Sequence, residues 1–220
     1  MLLMFHYDIW QKPLPELGFR SLNESVQKAR ANRHIVKELV EMLSFNSSHI
    51  QFITKPLNLS YPCPLELHCR YTRDEILAAF GLATTEKKAD LREGVKYLEN
   101  NKTDLFFVTL NKSEKDYSPT TMYEDYAVSE TLFHWQSQST TSDTSPTGQR
   151  YINHRKTGNT ILLFVREYKQ KNDFTAPYDF LGPAKYVKHE GSRPMSITWE
   201  LEYPLPAHLW KETGKLAVGG

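Results

Sequence analysis

Cysteine is scarce in this chain, whose 220 residues include only Cys63 and Cys69. Two cysteines supply neither a disulfide framework nor the four ligands of a structural zinc site. Long hydrophobic runs are also lacking, because runs such as Ile161 to Val165 fall far short of the roughly 20 residues that cross a bilayer. The first residues lack a basic leader and a small-residue cleavage site. These absences predict a cytoplasmic protein with reduced thiols and no membrane partner.

An excess of charge of one sign is lacking as well, since 27 Lys and Arg face 26 Asp and Glu, for a net charge of +1. This balance argues against a wholly basic nucleic-acid binder. The charge is unevenly spread, however: residues 150–193 hold nine basic and four acidic residues (+5), and residues 104–130 hold two basic and six acidic residues (−4). A basic segment can bind phosphates while the molecule stays near neutral, although composition alone favours a solvated charged face.

Motifs of catalysis are missing too. The sequence has no Gly-rich phosphate loop, no GxSxG elbow and no HExxH helix. His154-Arg155-Lys156 resembles the start of a phospholipase-D HxK motif, but Ile161 occupies the position of the required acid. Cys63, His68 and Cys69 offer only three metal ligands. We therefore predict a binding module with no catalytic residue, no metal and no cofactor; a metal-dependent nuclease built on His154 is the alternative.

The first sixty residues carry the pattern of a helical segment. Ser21 can cap a helix with Glu24 three residues on, and apolar residues follow at helical spacing up to Phe45. These are Val26, Ala29, Ile35, Val36, Leu39 and Leu43. Tyr61-Pro-Cys-Pro then breaks the pattern. We predict a helical connector over residues 1–60 and a second domain over residues 61–220.

In the second domain, the spacing of apolar residues changes from the helical pattern to one typical of short strands. Thr72 to Phe80 predicts a short capped helix ended by Gly81, and Pro146 to Asn153 predicts another. Short runs rich in aromatic and β-branched residues predict strands over 105–110, 132–138, 161–167, 180–187 and 195–203. This mixture predicts an α+β fold, in which a β-barrel or curved sheet carries short helices and the helical N-terminal segment.

The stretch from Met122 to Gln138 joins an acidic, aromatic loop to a strand. A protein that inspects a flipped base needs aromatic surfaces to stack on it and polar groups for its Watson–Crick edge, and a carboxylate accepts from the cytosine amine. The predicted base pocket therefore consists of Tyr123, Asp125, Tyr126, Trp135 and Gln136, with Glu124 as the alternative acceptor. Strand alternation leaves another possibility open, in which Trp135 and Phe133 face the core.

Further polar and basic residues follow this stretch and are of the kind that contacts nucleic-acid phosphates. The predicted DNA-contacting residues are His134, Ser137, Gln138, Ser139, Thr140, Arg150, His154, Arg155 and Lys156. They would hold the DNA flanking the base.

Several long runs, in order, resemble one known domain. They are 104–126, Phe133-His-Trp-Gln-Ser-Gln138, 145–154, Phe180-Leu-Gly-Pro and 189–194. Over roughly residues 65–206 the chain looks like the C-terminal domain that follows a phospholipase-D-like nuclease and a superfamily-2 helicase in type IV, modification-dependent restriction proteins. The resemblance implies double-stranded DNA as a partner, together with the helicase and nuclease domains of the same parent chain.

A second, weaker resemblance is to SRA domains, crescent-shaped β-barrels that flip a modified cytosine. Their Tyr-Glu-Asp-Asp loop and following strand resemble Tyr123-Glu-Asp-Tyr126 and Leu132-Phe-His-Trp-Gln136, and their pocket tyrosines lie twelve positions apart, as do Tyr123 and Trp135. The resemblance implies that these two rings sandwich 5-methylcytosine or 5-hydroxymethylcytosine. The cytosine-reading aspartate falls on Tyr126, so either Asp125 takes that role or the match shifts.

These resemblances together predict a DNA-reading module of a larger ATP-dependent restriction enzyme active in antiviral defence. Cleavage and ATP hydrolysis would belong to the other domains of the parent protein. Besides the nuclease, the remaining alternative is a protein-interaction domain that docks on the helicase.

Overall fold

The computed structural model describes residues 1–49, 57–91, 94–111, 125–171, 173–205, 207, 209 and 210. The chain forms two compact units. The first comprises Met1–Glu66 and Tyr71–Asp90, and the second comprises Leu67–Arg70 and Leu91–Gly220. Among the described residues, no helix has the length and apolar character needed to cross a bilayer.

The first unit is helical, as predicted. It contains α1 (Leu2–Trp10), a 3-10 turn (Leu14–Leu17), α2 (Leu22–Ala31), α3 (Arg33–Ser48) and α4 (Arg73–Ala79). The cap predicted at the start of α2 is confirmed, because the Ser21 hydroxyl accepts a hydrogen bond from the Glu24 N–H at 3.2 Å. The apolar pattern to Phe45 forms two helices instead of one, because Asn32 leaves the helical conformation and its side chain caps α3.

Residues 71–90 belong to the helical unit, whereas the predicted domain boundary lies at residue 60. Helix α4 packs against α1 and buries Ile76 and Leu77. The loop after α4 is also tied down, since the Tyr7 hydroxyl donates to the Thr84 carbonyl at 2.7 Å. The predicted cap of α4 is confirmed as a capping box between Thr72 and Glu75.

The second unit contains a main sheet, a separate two-stranded pair and a helix that packs on the main sheet. The strands of the chain are β1 (Arg70–Tyr71), β2 (Val95–Leu98), β3 (Thr103–Asn111), β4 (Tyr126–Ala127), β5 (Leu132–Gln136), β6 (Thr160–Tyr168), β7 (Gln170–Lys171), β8 (Phe174–Thr175), β9 (Tyr178–Glu190) and β10 (Ser196–Leu201), and helix α5 (Pro146–Thr157) lies in the second unit. The main sheet has the order β2-β3-β6-β9-β10-β5-β4. Strands β3 and β6 are parallel, and the other described neighbours in this order are antiparallel.

The α+β class and the five predicted strands and second short helix are confirmed. The sheet is open, however, and is not the predicted barrel: among the described strands, β2 and β4 form its two edges and do not pair with each other. Both edge strands are short, with four and two residues, and so offer few backbone groups for closing a ring.

The two faces of the sheet differ around β5, where burial alternates residue by residue. One face, which we call the covered face, holds Phe133, Trp135 and Trp199 and packs against Tyr151 of α5. On the other face, the strand registers bring Tyr126, His134, Thr198 and Lys188 into one line across β4, β5, β10 and β9. We call this second set the polar row.

Candidate nucleic-acid interface

The polar row is accessible to solvent. Tyr126, His134 and Thr198 are partly exposed, and Lys188 is exposed. The Tyr126 and His134 rings stack with their centroids 4.7 Å apart and an interplanar angle of 14°. Lys188 pairs with Glu190 at 3.0 Å, and because both side chains are well exposed the pair is weak and Lys188 can exchange its partner. The row thus combines aromatic rings, a hydroxyl and a cation on an open sheet face.

Hydrogen bonds of the residues beside the row hold the edge strand β4 against β5, and β5 against β10. Asp125 is buried, and its Oδ1 accepts a hydrogen bond from the Gln136 N–H at 2.9 Å. The Gln136 side chain donates to the Ser196 hydroxyl at 3.2 Å. The structure therefore brings together four residues predicted from the sequence, which are Asp125, Tyr126, His134 and Gln136. Tyr123 and Glu124 lie outside the described residues.

Trp135 lies in the core and not on the open face. Its side chain packs on the covered face with only 6% of the residue exposed, and it stacks on Phe106 with ring centroids 4.2 Å apart. Tyr151 and Trp199 pack around the same ring. The structure thus realises the core arrangement that strand alternation allows, and in this conformation the indole does not line an open pocket.

The loop after β5 contains both structural and accessible polar residues. Ser137 is fully buried; its hydroxyl accepts from the Met195 N–H, and its own N–H donates to the Met195 carbonyl, both at 2.9 Å. Gln138 is half-buried, and its carbonyl accepts from the Thr141 N–H. Ser139 and Thr140 are exposed. Ser139 and Thr140 are therefore the most exposed of these predicted contacts, whereas Ser137 ties the loop to the start of β10.

Arg150 is the partner of a buried carboxylate. Its Nε and Nη2 donate to Asp104 at 2.8 and 2.9 Å, and its guanidinium lies 4.0 Å above the Tyr97 ring. Burial raises the pKa of Asp104, and the hydrogen bonds and charge of Arg150 oppose that rise. Arg150, which was predicted to contact a phosphate, therefore neutralises the buried Asp104 carboxylate in this structure.

His154 is buried and held at both ring nitrogens. Nδ1 lies 3.2 Å from the Asn159 carbonyl, and Nε2 accepts the Tyr186 N–H at 3.0 Å. A carbonyl only accepts, so Nδ1 carries the proton and the ring is neutral. Burial lowers the pKa of His154 and favours this form. The histidine on which the nuclease alternative rests therefore has a structural position, with no lone pair directed to solvent.

Arg155 and Lys156 are exposed near the end of α5. Because α5 packs on the covered face, these two residues and the polar row lie on opposite sides of the sheet. The structure therefore separates the predicted DNA contacts into two groups.

Sequence reasoning missed Thr198, Ser196 and Lys188. The alternating pattern of β10 could have indicated that Thr198 faces outward. Its position beside His134 depends on the pairing of β10 with β5, which no local pattern specifies. Among the described residues, no three His, Cys, Asp or Glu side chains are grouped closely enough to hold a metal ion.

Comparison with known proteins gives one family. Among the solved structures, the crystal structure of Arabidopsis thaliana SUVH6 in complex with SAM is 14% identical, with a TM-score of 0.42; the alignment covers 99% of this chain and 41% of that one. No curated protein matches. The family model described as "Domain of unknown function (DUF3427)" matches residues 65–213, more than half of the chain. The chain therefore belongs to the DUF3427 family.

Proposed function

We propose that this chain is a DNA-binding module that reads 5-methylcytosine or 5-hydroxymethylcytosine in duplex DNA by base flipping, as part of a larger ATP-dependent restriction enzyme. The module itself performs no chemistry. Nuclease and helicase domains of the parent chain are its partners and supply cleavage and ATP hydrolysis.

The observation that carries the proposal is the polar row. Tyr126 and His134 are stacked at the edge of an accessible sheet face, with Thr198 and Lys188 in line beside them. A base extruded from a duplex binds to such a combination of π surface, hydrogen-bonding groups and cation. The resemblance of several long runs to the C-terminal domain of type IV restriction proteins supports the same proposal.

The row changes the proposed roles of the predicted residues. Tyr126 and His134 supply the aromatic surface, in place of the buried Trp135. Ser139 and Thr140 lie in the loop that continues from β5 and are exposed, so they can contact the flanking backbone. Asp125 has one oxygen bound to the Gln136 N–H and holds β4 against β5, which keeps Tyr126 in place.

The test is a binding titration at fixed salt with three duplexes of one sequence, carrying cytosine, 5-methylcytosine or 5-hydroxymethylcytosine. Burial of one methyl group is worth about 1 kcal/mol, so the parent should prefer the methylated duplex over the unmodified one by roughly fivefold to tenfold. Loss of a stacking surface costs about 1–3 kcal/mol, so Tyr126→Ala should lose about tenfold to a hundredfold in affinity for modified DNA.

Tyr203→Ala is the matched control, because Tyr203 is also half-buried and lies outside the polar row. It should bind DNA like the parent. Equal affinity for the three duplexes would refute the reading of modified cytosine but leave DNA binding intact. Cleavage of the DNA on addition of divalent metal would instead support the nuclease alternative, and the absence of any DNA binding would support a protein-interaction domain.

A further inference from the structure

Thr198 lies in the middle of the polar row, between two larger side chains. The pairing of β5 with β10 places it opposite His134, and the pairing of β10 with β9 places it opposite Lys188. Both pairings are regular over residues 196–198, because the register shift between β9 and β10 comes after Thr198. Thr198 is partly exposed, and within the described part of the chain its hydroxyl makes no hydrogen bond. A short side chain with a hydroxyl thus separates an aromatic ring from a cation.

The rings of Tyr126 and His134 are stacked along the row. They come from the neighbouring strands β4 and β5, and their centroids are 4.7 Å apart, which matches the spacing of about 4.7–4.9 Å between neighbouring strands. The stack therefore advances by one ring for each strand. Because β5 lies between β4 and β10, the other face of the His134 ring is directed towards β10. The third position of the stack is consequently above Thr198.

The space above Thr198 has the width of one aromatic ring. Two strand spacings, or about 9–10 Å, separate the His134 and Lys188 positions on either side of it. Stacked rings have centroids about 4.5–7 Å apart, and a lysine ammonium interacts with a ring whose centroid lies within about 6 Å. A ring midway between the two side chains satisfies both distances. We call this space the Thr198 slot; His134 and Lys188 form its walls and Thr198 forms its floor.

The interactions of Glu190 show that both walls belong to the open face. Glu190 follows Lys188 by two residues on β9 and accepts a hydrogen bond from its Nζ at 3.0 Å. The hydrogen bond and the charge of Lys188 lower the pKa of the Glu190 carboxyl, and the charge of His134 also lowers it. His134 and Lys188 therefore act on one carboxylate from the two sides of the slot. Because the Lys188–Glu190 pair is well exposed, Lys188 can move to a ligand at little cost.

A cytosine flipped out of a duplex has the chemistry that the slot requires. Its sugar is attached at N1, so a base that enters from solvent presents the opposite ring atom, C4, and the exocyclic amine to the floor. A threonine hydroxyl can accept a hydrogen bond from this amine. Flipped bases bind between side chains that cover both of their faces. In the slot these are the His134 ring and the aliphatic stem of Lys188, whose ammonium can still reach a phosphate.

We propose that the flipped cytosine enters the Thr198 slot, stacks on His134 as the third ring of the row and donates a hydrogen bond from its C4 amine to the Thr198 hydroxyl. Lys188 covers the second face of the base, and Tyr126 continues the same stack behind His134. This inference rests on the proposed DNA-binding function and specifies where on the polar row the base is bound.

A variant that fills the slot provides the test. The parent and Thr198→Leu are titrated at fixed salt with two duplexes of one sequence, which carry 5-methylcytosine or an abasic site at the same position. Thr198→Leu should lose about tenfold to a hundredfold in affinity for the methylated duplex, because the base can no longer stack. It should bind the abasic duplex like the parent, since that duplex has no base to insert.

Thr198→Val tests the floor of the slot separately. This variant keeps the size of the side chain and removes only its hydroxyl. It should lose about fivefold in affinity for the methylated duplex, which corresponds to one net hydrogen bond, and should bind the abasic duplex like the parent. Valine also suits a strand, so this variant decides the question if the leucine variant fails to fold.

The matched control is Glu200→Leu, which places a leucine two residues along β10 on the same face, opposite Leu132 and outside the slot. It should bind methylated DNA at least as tightly as the parent. Equal losses of Thr198→Leu on both duplexes would overturn the inference, because the leucine would then obstruct the DNA backbone. If both Thr198 variants bind methylated DNA normally while Tyr126→Ala does not, the inference is wrong and the proposed function stands. If the parent itself binds both duplexes equally, both proposals are wrong.

Discussion

The two sides of β5 carry alternate residues of one short sequence and have opposite environments. On the covered face, Phe133 and Trp135 are buried against an aromatic cluster that includes Phe106 and Trp199. On the open face, His134 and Gln136 remain partly exposed. Neighbouring residues of one strand can therefore have different roles, in which some stabilise the core and others are exposed to a ligand. Substitutions on the two sides should therefore affect different quantities, namely stability and DNA affinity.

The largest expected effect is on the covered side. Trp135→Ala should lower the free energy of unfolding by about 3–5 kcal/mol, because it removes a buried ring and leaves a cavity. Urea unfolding of this variant beside His134→Ala measures the difference, since His134→Ala should cost less than about 1 kcal/mol. If Trp135→Ala retained the parent's stability but lost the preference for modified DNA, Trp135 would belong to a pocket and the comparison would fail.

Arg150→Ala tests the buried charge of the Asp104 carboxylate on the covered side. The substitution leaves the Asp104 carboxylate without its partner and should cost about 3 kcal/mol of stability. Arg155→Ala on the same helix removes an exposed side chain and should change stability by less than about 0.5 kcal/mol. The contrary outcome is a fully stable Arg150→Ala protein with a shallower salt dependence of DNA binding, which would restore the predicted phosphate contact.

The pH dependence of stability tests His154. Because burial lowers its pKa in the folded state, the unfolded chain binds a proton first as the pH falls through about 6.5. Stability should therefore decrease with falling pH below that value, by up to about 1.4 kcal/mol per pH unit from this residue. Unfolding of the parent and His154→Gln between about pH 5 and 7.5 gives the two slopes, and the variant should have the flatter one. Identical slopes would mean that His154 titrates normally.

The smallest expected effect is a change in the salt dependence of DNA binding when a lysine that contacts a phosphate is removed. Lys188 lies on the open face, and Lys156 lies on the helix that covers the opposite one. With DNA on the polar row, Lys188→Ala should reduce the salt slope by about one unit and weaken modified and unmodified duplexes alike. Titrations of Lys156→Ala over the same salt range decide which side the DNA occupies. If only Lys156→Ala reduced the salt slope of binding, the DNA would lie on the α5 side of the sheet, in agreement with the contacts predicted from the sequence.

Local patterns were enough to predict most of the elements. The Ser21 and Thr72 caps give the starts of α2 and α4, and the aromatic and β-branched runs give the long strands. Each of these patterns depends on residues only a few positions apart, so it can be recognised without knowledge of the tertiary structure. β2 and β4 were missed, because strands of four and two residues are too short to show a reliable period.

The sequence by itself determined the α+β class, the helical first segment and the alternation of β5. Only the tertiary structure decided that the sheet stays open, that Arg150 pairs with Asp104 and that Tyr126, His134, Thr198 and Lys188 form one row. These features join residues far apart in the chain, such as the pair at positions 104 and 150. The alternation of β5 says that two sets of side chains face opposite ways, but the packing of α5 decides which set is buried.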